Sequence, residues 1–440
     1  MIASSGRRKT SAGVARRPAT GGPPITTHET GEPAGGPNRP GVETEARRWP
    51  RRASSPFSWS RARSRLVSRV ARLSLLIAAS PALVVTCTPN SPSTKGTDYS
   101  SCGTPAAADA TVPTPNSKYF GVNTHFVWQD TCFQDQSIDL MQKAGVQTVR
   151  FDLPWNLLEP KKGEYNQTMV ARLDHAVDVM VTRHIEPIAV LAYSPAWASG
   201  SDNKTAPPRN NQDYNDFLSF WIKRYAGKVN AYEVWNEPNY FWYPKADPVR
   251  YTDLLKSAYT TAKKINPDIT ILAGSLTGSD GNTKTGPQWF LRTMYANGAK
   301  GYFDVLSQHG YSYPLNAQPP QWVFQKFKAQ MLPIMQAAGD GARPIWWTEH
   351  GYSTGGPLPV VESAQASYLT QAYEQARVIL PNMTRLYYYE WGNDRPTVDP
   401  EGKVLSTNTE DYFGMIDPFG KNGAWRPKAA YTAFKKLPKS

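Results

Sequence analysis

Residues 231–262, AYEVWNEPNYFWYPKADPVRYTDLLKSAYTTA, contain one complete strand, loop and helix. The first five residues, AYEVW, are rich in aromatic and β-branched side chains and predict a buried strand. Leu254, Leu255, Ala258 and Ala262 then fall on one face of a helix. The segment between them is long and rich in aromatic residues and proline. This order predicts a βα unit with an extended loop after its strand.

Eight such strand-like runs, each followed by a longer segment, occur from residue 119 onward. They are YFGVN at 119, TVRFDL at 148, EPIAVLAY at 186, AYEVW at 231, ITILAGS at 269, DVLSQHGY at 304, PIWWTEHG at 344 and RLYYYEW at 385. Alternating βα units predict a parallel sheet covered by helices, and eight of them predict closure. We therefore predict an α/β fold, a (β/α)8 TIM barrel over residues 115–440, whose long post-strand loops form the active face.

The net charge of +13 lies mostly before the predicted barrel. Residues 1–72 hold 15 basic and 4 acidic residues, a net +11, which leaves about +2 for the rest of the 440-residue chain. No basic stripe with interleaved aromatic residues follows, so we predict no nucleic-acid partner. Residues 1–65 are rich in Gly, Pro, Ser and Arg, a composition that predicts a disordered basic leader in front of the barrel.

Residues 66–88 have the pattern of a signal peptide. In RARSRLVSRVARLSLLIAASPALVVTC, residues 61–87, five arginines precede an apolar run that is too short to span a bilayer. We therefore expect secretion, with residues 89–114 as a Ser/Thr/Pro linker. Because the signal lies so far from Met1, we hypothesise that translation starts near Leu66 or Val67.

Three cysteines, Cys87, Cys102 and Cys132, are an odd number for an exported protein. In one interpretation Cys87 is lipidated, which would anchor the protein at a membrane and leave Cys102 and Cys132 to form a disulfide. In the other, the signal is cleaved and the protein released. The preceding VVT matches the lipidation pattern poorly, which favours release.

Two glutamates stand where catalytic groups of such barrels lie. Glu237 ends the fourth run in EVWNEPN, and Glu349 ends the seventh in IWWTEHG. Glycosidic cleavage needs one carboxylic acid and one carboxylate on opposite sides of the bond, about 5 to 5.5 Å apart in retaining enzymes. A glutamate followed by proline at a strand end, as Glu237 is, could instead cap the next helix, and other carboxylates compete with the pair. The main competitor is Glu390; the weaker ones are Asp152, Glu159 and Glu233.

The pair WNEP on strand four and TE on strand seven resembles the clan A retaining glycosidases, most closely glycoside hydrolase families 39 and 5, over residues 115–440. The resemblance implies that Glu237 is the acid/base, Glu349 the nucleophile and Asn236 the ligand of the sugar 2-hydroxyl. His350 departs from the Phe or Tyr common after the nucleophile. No β-sandwich follows residue 440, so compact endo-acting members are expected to be the better guides.

The same resemblance implies roles for four further residues. Arg150 would contact the nucleophile and keep it ionised, and His309 and Tyr311 would bond to the nucleophile or the sugar. Trp391 would form the platform beneath the scissile sugar. Trp155 and Trp242 lie in aromatic post-strand loops and are predicted to contact substrate, although half of such residues are expected only to pack the loops.

We find no metal-ligand spacing, phosphate-binding glycine loop or nucleophilic serine motif, and we predict neither metal nor cofactor. The sequence thus predicts a secreted, monomeric, retaining β-glycosidase that is endo-acting on a polysaccharide or oligosaccharide. A catalytically silent carbohydrate-binding barrel and a transglycosylase stay open as alternatives. The sugar and its linkage are not predicted.

Overall fold

The computed structural model describes residues 118–278, 285–312, 314–393, 408–418 and 425–439. By its internal contacts the chain divides into two units, Met1–Pro89 and Asn90–Ser440, and every described residue belongs to the second. The predicted leader, signal peptide and linker lie outside the described residues and stay predictions.

Eight parallel strands close into a barrel, in which each strand pairs with the next in sequence and β8 pairs with β1. The strands are β1 (Phe120–Thr124), β2 (Thr148–Pro154), β3 (Glu186–Ala192), β4 (Ala231–Asn236), β5 (Thr270–Leu276), β6 (Val305–His309), β7 (Ile345–His350) and β8 (Met383–Tyr388). The predicted (β/α)8 fold is confirmed, and each predicted strand starts within two residues of the observed one.

At least one helix follows each strand. The helices are α1 (Thr131–Ala144), α2 (Trp155–Leu158), α3 (Gln167–Thr182), α4 (Ala196–Ser199), α5 (Asn211–Arg224), α6 (Pro248–Ile265), α7 (Pro287–Ala296), α8 (Pro320–Gln330), α9 (Leu332–Ala337), α10 (Glu362–Ile379) and α11 (Ala429–Lys436). Short antiparallel strands β9 (Ile416–Asp417) and β10 (Arg426–Pro427) precede α11. Within the described ranges, no helix combines the length and apolar character needed to cross a bilayer.

Local sequence signals account for the helices. Asp130 caps α1 by accepting a hydrogen bond from the amide of Phe133, and Gly145 ends that helix with a φ of 75°, which glycine adopts without strain. The predicted apolar face of α6 is fully buried, and α3 buries a similar face made of Leu173, Ala176, Val177 and Met180. These faces pack on the outside of the barrel and form most of the core.

The barrel interior has two layers. A small apolar cluster fills the lower part and is drawn from six strands: Ile188, Ala231, Leu272, Val305, Trp346 and Tyr387. Glu233, Ser307 and Thr348 follow two residues after members of that cluster, so the alternation of a strand turns them inward as well. They form a buried polar layer between the apolar cluster and the open mouth.

Candidate active site

Glu237 is the first residue after β4, at the mouth of the barrel. Trp235 and Glu237 have φ values of 72° and 47°, in the left-handed region that residues other than glycine rarely adopt. This break in the strand alternation allows the neighbouring side chains of Asn236 and Glu237 both to reach the mouth. The amides of Tyr240 and Phe241 donate back to the Glu237 carbonyl at 2.8 and 2.7 Å, which fixes the turn.

Glu349 lies across the mouth, near the end of β7. Arg150 on β2 donates from Nη1 to Glu349 Oε1 at 2.8 Å, and the Tyr311 hydroxyl donates to Oε2 at 2.9 Å. The pairing of β6 with β7 shifts register between Gln308 and His309, so His309 pairs with Glu349 itself. The predicted contact between Arg150 and Glu349 is present in the structure.

His309 bridges the two carboxyl groups. Its Nδ1 lies 2.7 Å from Glu237 Oε1 and 3.2 Å from Glu349 Oε2. One oxygen from each carboxyl group and a His309 ring nitrogen all lie within 4.8 Å of one another. Glu237 and Glu349 are only 8% and 9% exposed. This close approach of the two carboxyl groups fits direct attack on an anomeric carbon, as in retaining enzymes.

The charges around the two glutamates differ. Burial and the neighbouring Glu349 carboxylate raise the pKa of Glu237 well above its ordinary value. Burial also raises the pKa of Glu349, to about 7, but Arg150 and the Tyr311 hydroxyl oppose that rise. Burial and Arg150 lower the pKa of His309, so its ring is neutral. A single proton on the pair is therefore better placed on Glu237.

The same three side chains are the kind of group that could ligate a cation. In the structure their atoms already face hydrogen-bonding partners, because His309 Nδ1 lies between two carboxylate oxygens and the Arg150 cation contacts Glu349. The arrangement is that of an acid/base pair bridged by an imidazole.

Arg150 and Asn236 form the next part of the site. Arg150 donates from Nη2 to Asn236 Oδ1 at 2.8 Å, which leaves the Asn236 amide nitrogen facing the Tyr193 hydroxyl at 3.3 Å. Tyr193 was not predicted from the sequence. Its position as the last residue of the third strand-like run is the signal that could have identified it.

The competing carboxylates do not face Glu349 as Glu237 does. Glu390 Oε2 lies 3.4 Å from His125 Nε2, and Asp152 contacts Nδ1 of the same ring. Burial opposes a charge on His125, but Asp152 and Glu390 raise its pKa well above the ordinary value. His125, which sequence reasoning missed, thus joins the ends of β1, β2 and β8.

Glu159 accepts hydrogen bonds from the Trp155 indole and the Gly163 amide, each at 2.7 Å, and so holds a rim loop. Glu233 lies below the mouth in the buried polar layer. Neither carboxylate forms the facing pair.

Comparison with known families agrees with this geometry. The sequence matches the cellulase family, glycosyl hydrolase family 5, over residues 107–378. The chain belongs to that family. The predicted likeness to a clan A (β/α)8 glycosidase is confirmed at the level of family and fold.

The individual proteins that resemble this family 5 chain have low sequence identity to it. An aryl-phospho-β-D-glucosidase of Bacillus subtilis (strain 168) is 26% identical over 139 residues, which are 31% of this chain and 29% of that protein. A family 39 glycoside hydrolase from Bacteroides cellulosilyticus WH2 is 26% identical, with a TM-score of 0.56, over 72% of this chain and 63% of that one.

A monomeric β-xylosidase from Caulobacter crescentus CB15, 18% identical, shares the fold with a TM-score of 0.54 over 74% of this chain and 69% of its own. The chain therefore spans less than two thirds of the first two relatives, and the comparisons support family and fold without assigning a substrate.

Three tryptophans predicted to contact substrate are instead core residues of the family 5 barrel. Trp155 packs against Trp197, Tyr214 and Phe217, and Trp242 packs against Trp235 and Tyr251. Trp391 is 1% exposed and packs against Tyr431 of α11. The prediction of substrate contact is wrong for all three, because their large apolar faces are used to pack loops and helices onto the barrel.

Other aromatic residues occupy the rim. Trp128, after β1, is 54% exposed, and Tyr240, after β4, is 68% exposed; Phe241 and Tyr243 are also exposed. Tyr389 is half-buried at the end of β8, with its ring 6.5 Å from that of Tyr311 and 5.9 Å from that of His125. Tyr240 and Tyr389 were not singled out from the sequence.

Proposed function

We propose that this family 5 chain is a retaining β-glycosidase that works by double displacement. The observation that carries the proposal is the buried pair Glu237 and Glu349, bridged by His309, with a cation on Glu349 alone. An acid and a nucleophile must differ in protonation at the same pH, and this difference in neighbouring charge supplies the distinction.

In the first step Glu349 attacks the anomeric carbon while Glu237 transfers its proton to the departing glycosidic oxygen. A covalent glycosyl–Glu349 ester forms and the aglycone leaves as an alcohol. In the second step Glu237, now a carboxylate, removes a proton from water, which attacks the same carbon and releases Glu349. The anomeric configuration is retained because it is inverted twice.

We place the scissile sugar between Asn236 and Tyr389. Asn236 lies beside Glu237 and is fixed by Arg150, which suits a ligand of the 2-hydroxyl. Tyr389 takes the role predicted for Trp391, because its half-buried ring lies next to Tyr311, whose hydroxyl contacts the nucleophile. An aromatic face at this point can stack on the C–H face of a pyranose.

The exposed rim supports endo action on a polysaccharide. Trp128 lies after β1 and Tyr240 after β4, so exposed rings flank the carboxylate pair on two different sides of the mouth. A site that only removes terminal sugars needs binding surface on one side of the nucleophile. Rings on both sides fit a glycan chain that passes through the cleft.

Secretion is supported by the oxidation state of Cys132, which is disulfide-bonded in the structure. Disulfides persist in oxidising compartments and are rare in the cytosol. Both other cysteines lie outside the described residues, so the predicted bond to Cys102 and the lipidation of Cys87 stay proposals.

The function is tested by a panel of aryl β-glycosides with β-glucan, β-mannan and β-xylan, on wild type and Glu349→Ala. We expect the variant to lose at least about 1,000-fold in activity. Added azide should restore part of it and yield a glycosyl azide of the opposite anomeric configuration. Glu164→Ala, an exposed carboxylate paired with Lys161, is the matched control and should behave as wild type. Full activity in Glu349→Ala would contradict the proposal.

The same panel separates the two alternatives. A catalytically silent carbohydrate-binding barrel would bind one of the polysaccharides without releasing sugars from any substrate. A transglycosylase would release products longer than the donor, visible by mass spectrometry. Hydrolysis products that shorten from internal positions support the proposed endo action.

A further inference from the structure

Glu233 is a buried carboxylate that accepts hydrogen bonds from residues on four other strands, β2, β5, β6 and β7. Arg150 on β2 donates from Nε to Oε2 at 2.7 Å. The other carboxylate oxygen of Glu233, Oε1, accepts hydrogen bonds from the Ser275 amide at 3.1 Å, the Ser307 hydroxyl at 2.5 Å and the Thr348 hydroxyl at 3.4 Å. Its side chain is inaccessible to solvent, so it does not contact substrate.

These contacts place Glu233 behind the nucleophile. Arg150 contacts both carboxylates, since its Nε bonds to Glu233 and its Nη1 to Glu349. Nη1 also donates to Asn123 at 3.1 Å and Nη2 to Asn236 at 2.8 Å. The planar guanidinium is thereby fixed in direction from both ends.

We propose that Glu233 is a positioning residue that holds the Arg150 guanidinium against Glu349 and shares its positive charge between two carboxylates. The proposal rests on the proposed function of Glu349. It adds a role for a side chain that lies below the reacting groups. Without Glu233, the whole charge of Arg150 would act on the nucleophile, and the carboxylate would become more stable and less reactive.

The charged and titratable groups that face Glu349 determine its pKa, which the pH dependence of activity reports. They are Arg150 from β2, Tyr193 from the loop after β3, Glu233 from β4, Glu237 directly after β4, His309 and Tyr311 from β6 and the loop after it, and Glu410 from the segment before β9. Within this set Glu233 raises the pKa of Glu349, against Arg150 and Tyr311, which lower it. Removing its charge must therefore lower the pKa of the nucleophile.

The test is the pH dependence of kcat/KM for Glu233→Gln on a 2,4-dinitrophenyl β-glycoside, with the sugar chosen as the best in the panel. This leaving group needs no protonation, so the acidic limb reports the ionisation of Glu349 without the contribution of Glu237. We expect the limb to move down by about one pH unit. We also expect kcat to fall several-fold, because the glutamine oxygen still holds Arg150 in place and its whole charge then makes Glu349 a weaker nucleophile.

Ser307→Ala gives a second test with the opposite sign. It removes a neutral donor from Glu233 and leaves its negative charge more concentrated, so the limb should move up by a few tenths of a unit. If Glu233 were only structural, both variants would lower thermal stability and leave the limb where it is in wild type. That result would overturn the inference, and Ser307→Ala still decides the matter if Glu233→Gln does not fold.

Failure of this inference is distinct from failure of the proposed function. Azide rescue of Glu349→Ala combined with an unshifted limb in both variants would leave the nucleophile assigned and refute the role of Glu233. Wild-type activity in Glu349→Ala would instead refute the proposed function.

Discussion

At the scale of single residues, the surroundings of Glu237 determine its protonation state and therefore its role as the acid. It is buried and lies close to a second carboxylate, and both conditions disfavour its ionised form. Glu237→Gln should reduce kcat/KM on the best polysaccharide at least about 1,000-fold, but by less than about 10-fold on a 2,4-dinitrophenyl β-glycoside. Steady-state kinetics on the two substrates checks this, and equal losses on both would remove Glu237 as the acid.

Tyr311 predicts a change in the acidic limb of the pH profile. Its hydroxyl donates to Glu349 and lowers the pKa of that carboxyl, whose value is about 7 against an ordinary 4.5. Tyr311→Phe removes the donor, so the pKa of Glu349 rises and the limb of kcat/KM moves to higher pH. Because this hydrogen bond is made to a charged group, we expect its removal to lower kcat/KM about 10- to 100-fold. A limb that moves down, or stays, would contradict this contact.

Sequence reasoning identified residues whose roles follow from a motif and missed those whose roles follow from packing. The glutamates of WNEP and WTEH stand at strand ends, and barrel closure alone brings them together. Whether a loop tryptophan such as Trp391 is exposed depends on the path of α11, which no local pattern encodes. Glu233 did carry a signal, because a charged residue on a buried strand requires a partner.

At the level of elements, the junction after β6 depends on glycine. A Cβ on Gly310 would lie 2.1 to 2.3 Å from three atoms of the Trp347 indole, far inside contact distance. Gly310→Ala must therefore displace the indole or the His309–Tyr311 segment, at a cost of about 1 to 3 kcal/mol. We expect a Tm lower by several degrees and a reduced kcat, measured by calorimetry and kinetics.

Gly392→Ala is the matched control for that prediction. A Cβ on Gly392 would have its nearest neighbours at 4.0 Å, an ordinary contact. Its Tm and kcat should stay close to wild type. Equal effects at the two positions would show that the close packing of Trp347 over Gly310 does not constrain the site.

The strands were predictable because two different signals agree. Short runs rich in aromatic and β-branched residues alternate with longer segments of helical spacing, such as the one that holds Leu173 and Met180, and together they divide the chain into βα units. The eighth strand starts at Met383, two residues before the predicted run, because Met383 already pairs with Ile345 of β7. The ends of a strand are set by its pairing with the adjacent strands, and the amino-acid composition of a segment is only a weak guide to that pairing.

For the whole molecule, the disulfide at Cys132 bears on whether the protein is exported, since disulfides persist in oxidising compartments. Cys132 lies at the start of α1, on the active face of the barrel. We expect a non-reducing peptide digest of the secreted protein to contain Cys102 linked to Cys132. Cys132→Ser should lower stability by about 2 to 4 kcal/mol. A digest that links Cys132 to Cys87 would refute both the Cys102 pairing and the lipidation of Cys87.

The central claim, that Glu349 attacks the sugar directly, is tested most directly by trapping the intermediate. A 2-deoxy-2-fluoro β-glycosyl fluoride of the preferred sugar forms a slowly hydrolysed glycosyl ester on the nucleophile of a retaining enzyme. We predict one label per chain, located by mass spectrometry of peptic peptides on Glu349 within WTEHG. A label on Glu390 or Glu237 would contradict it, as would hydrolysis with inversion and no labelled peptide.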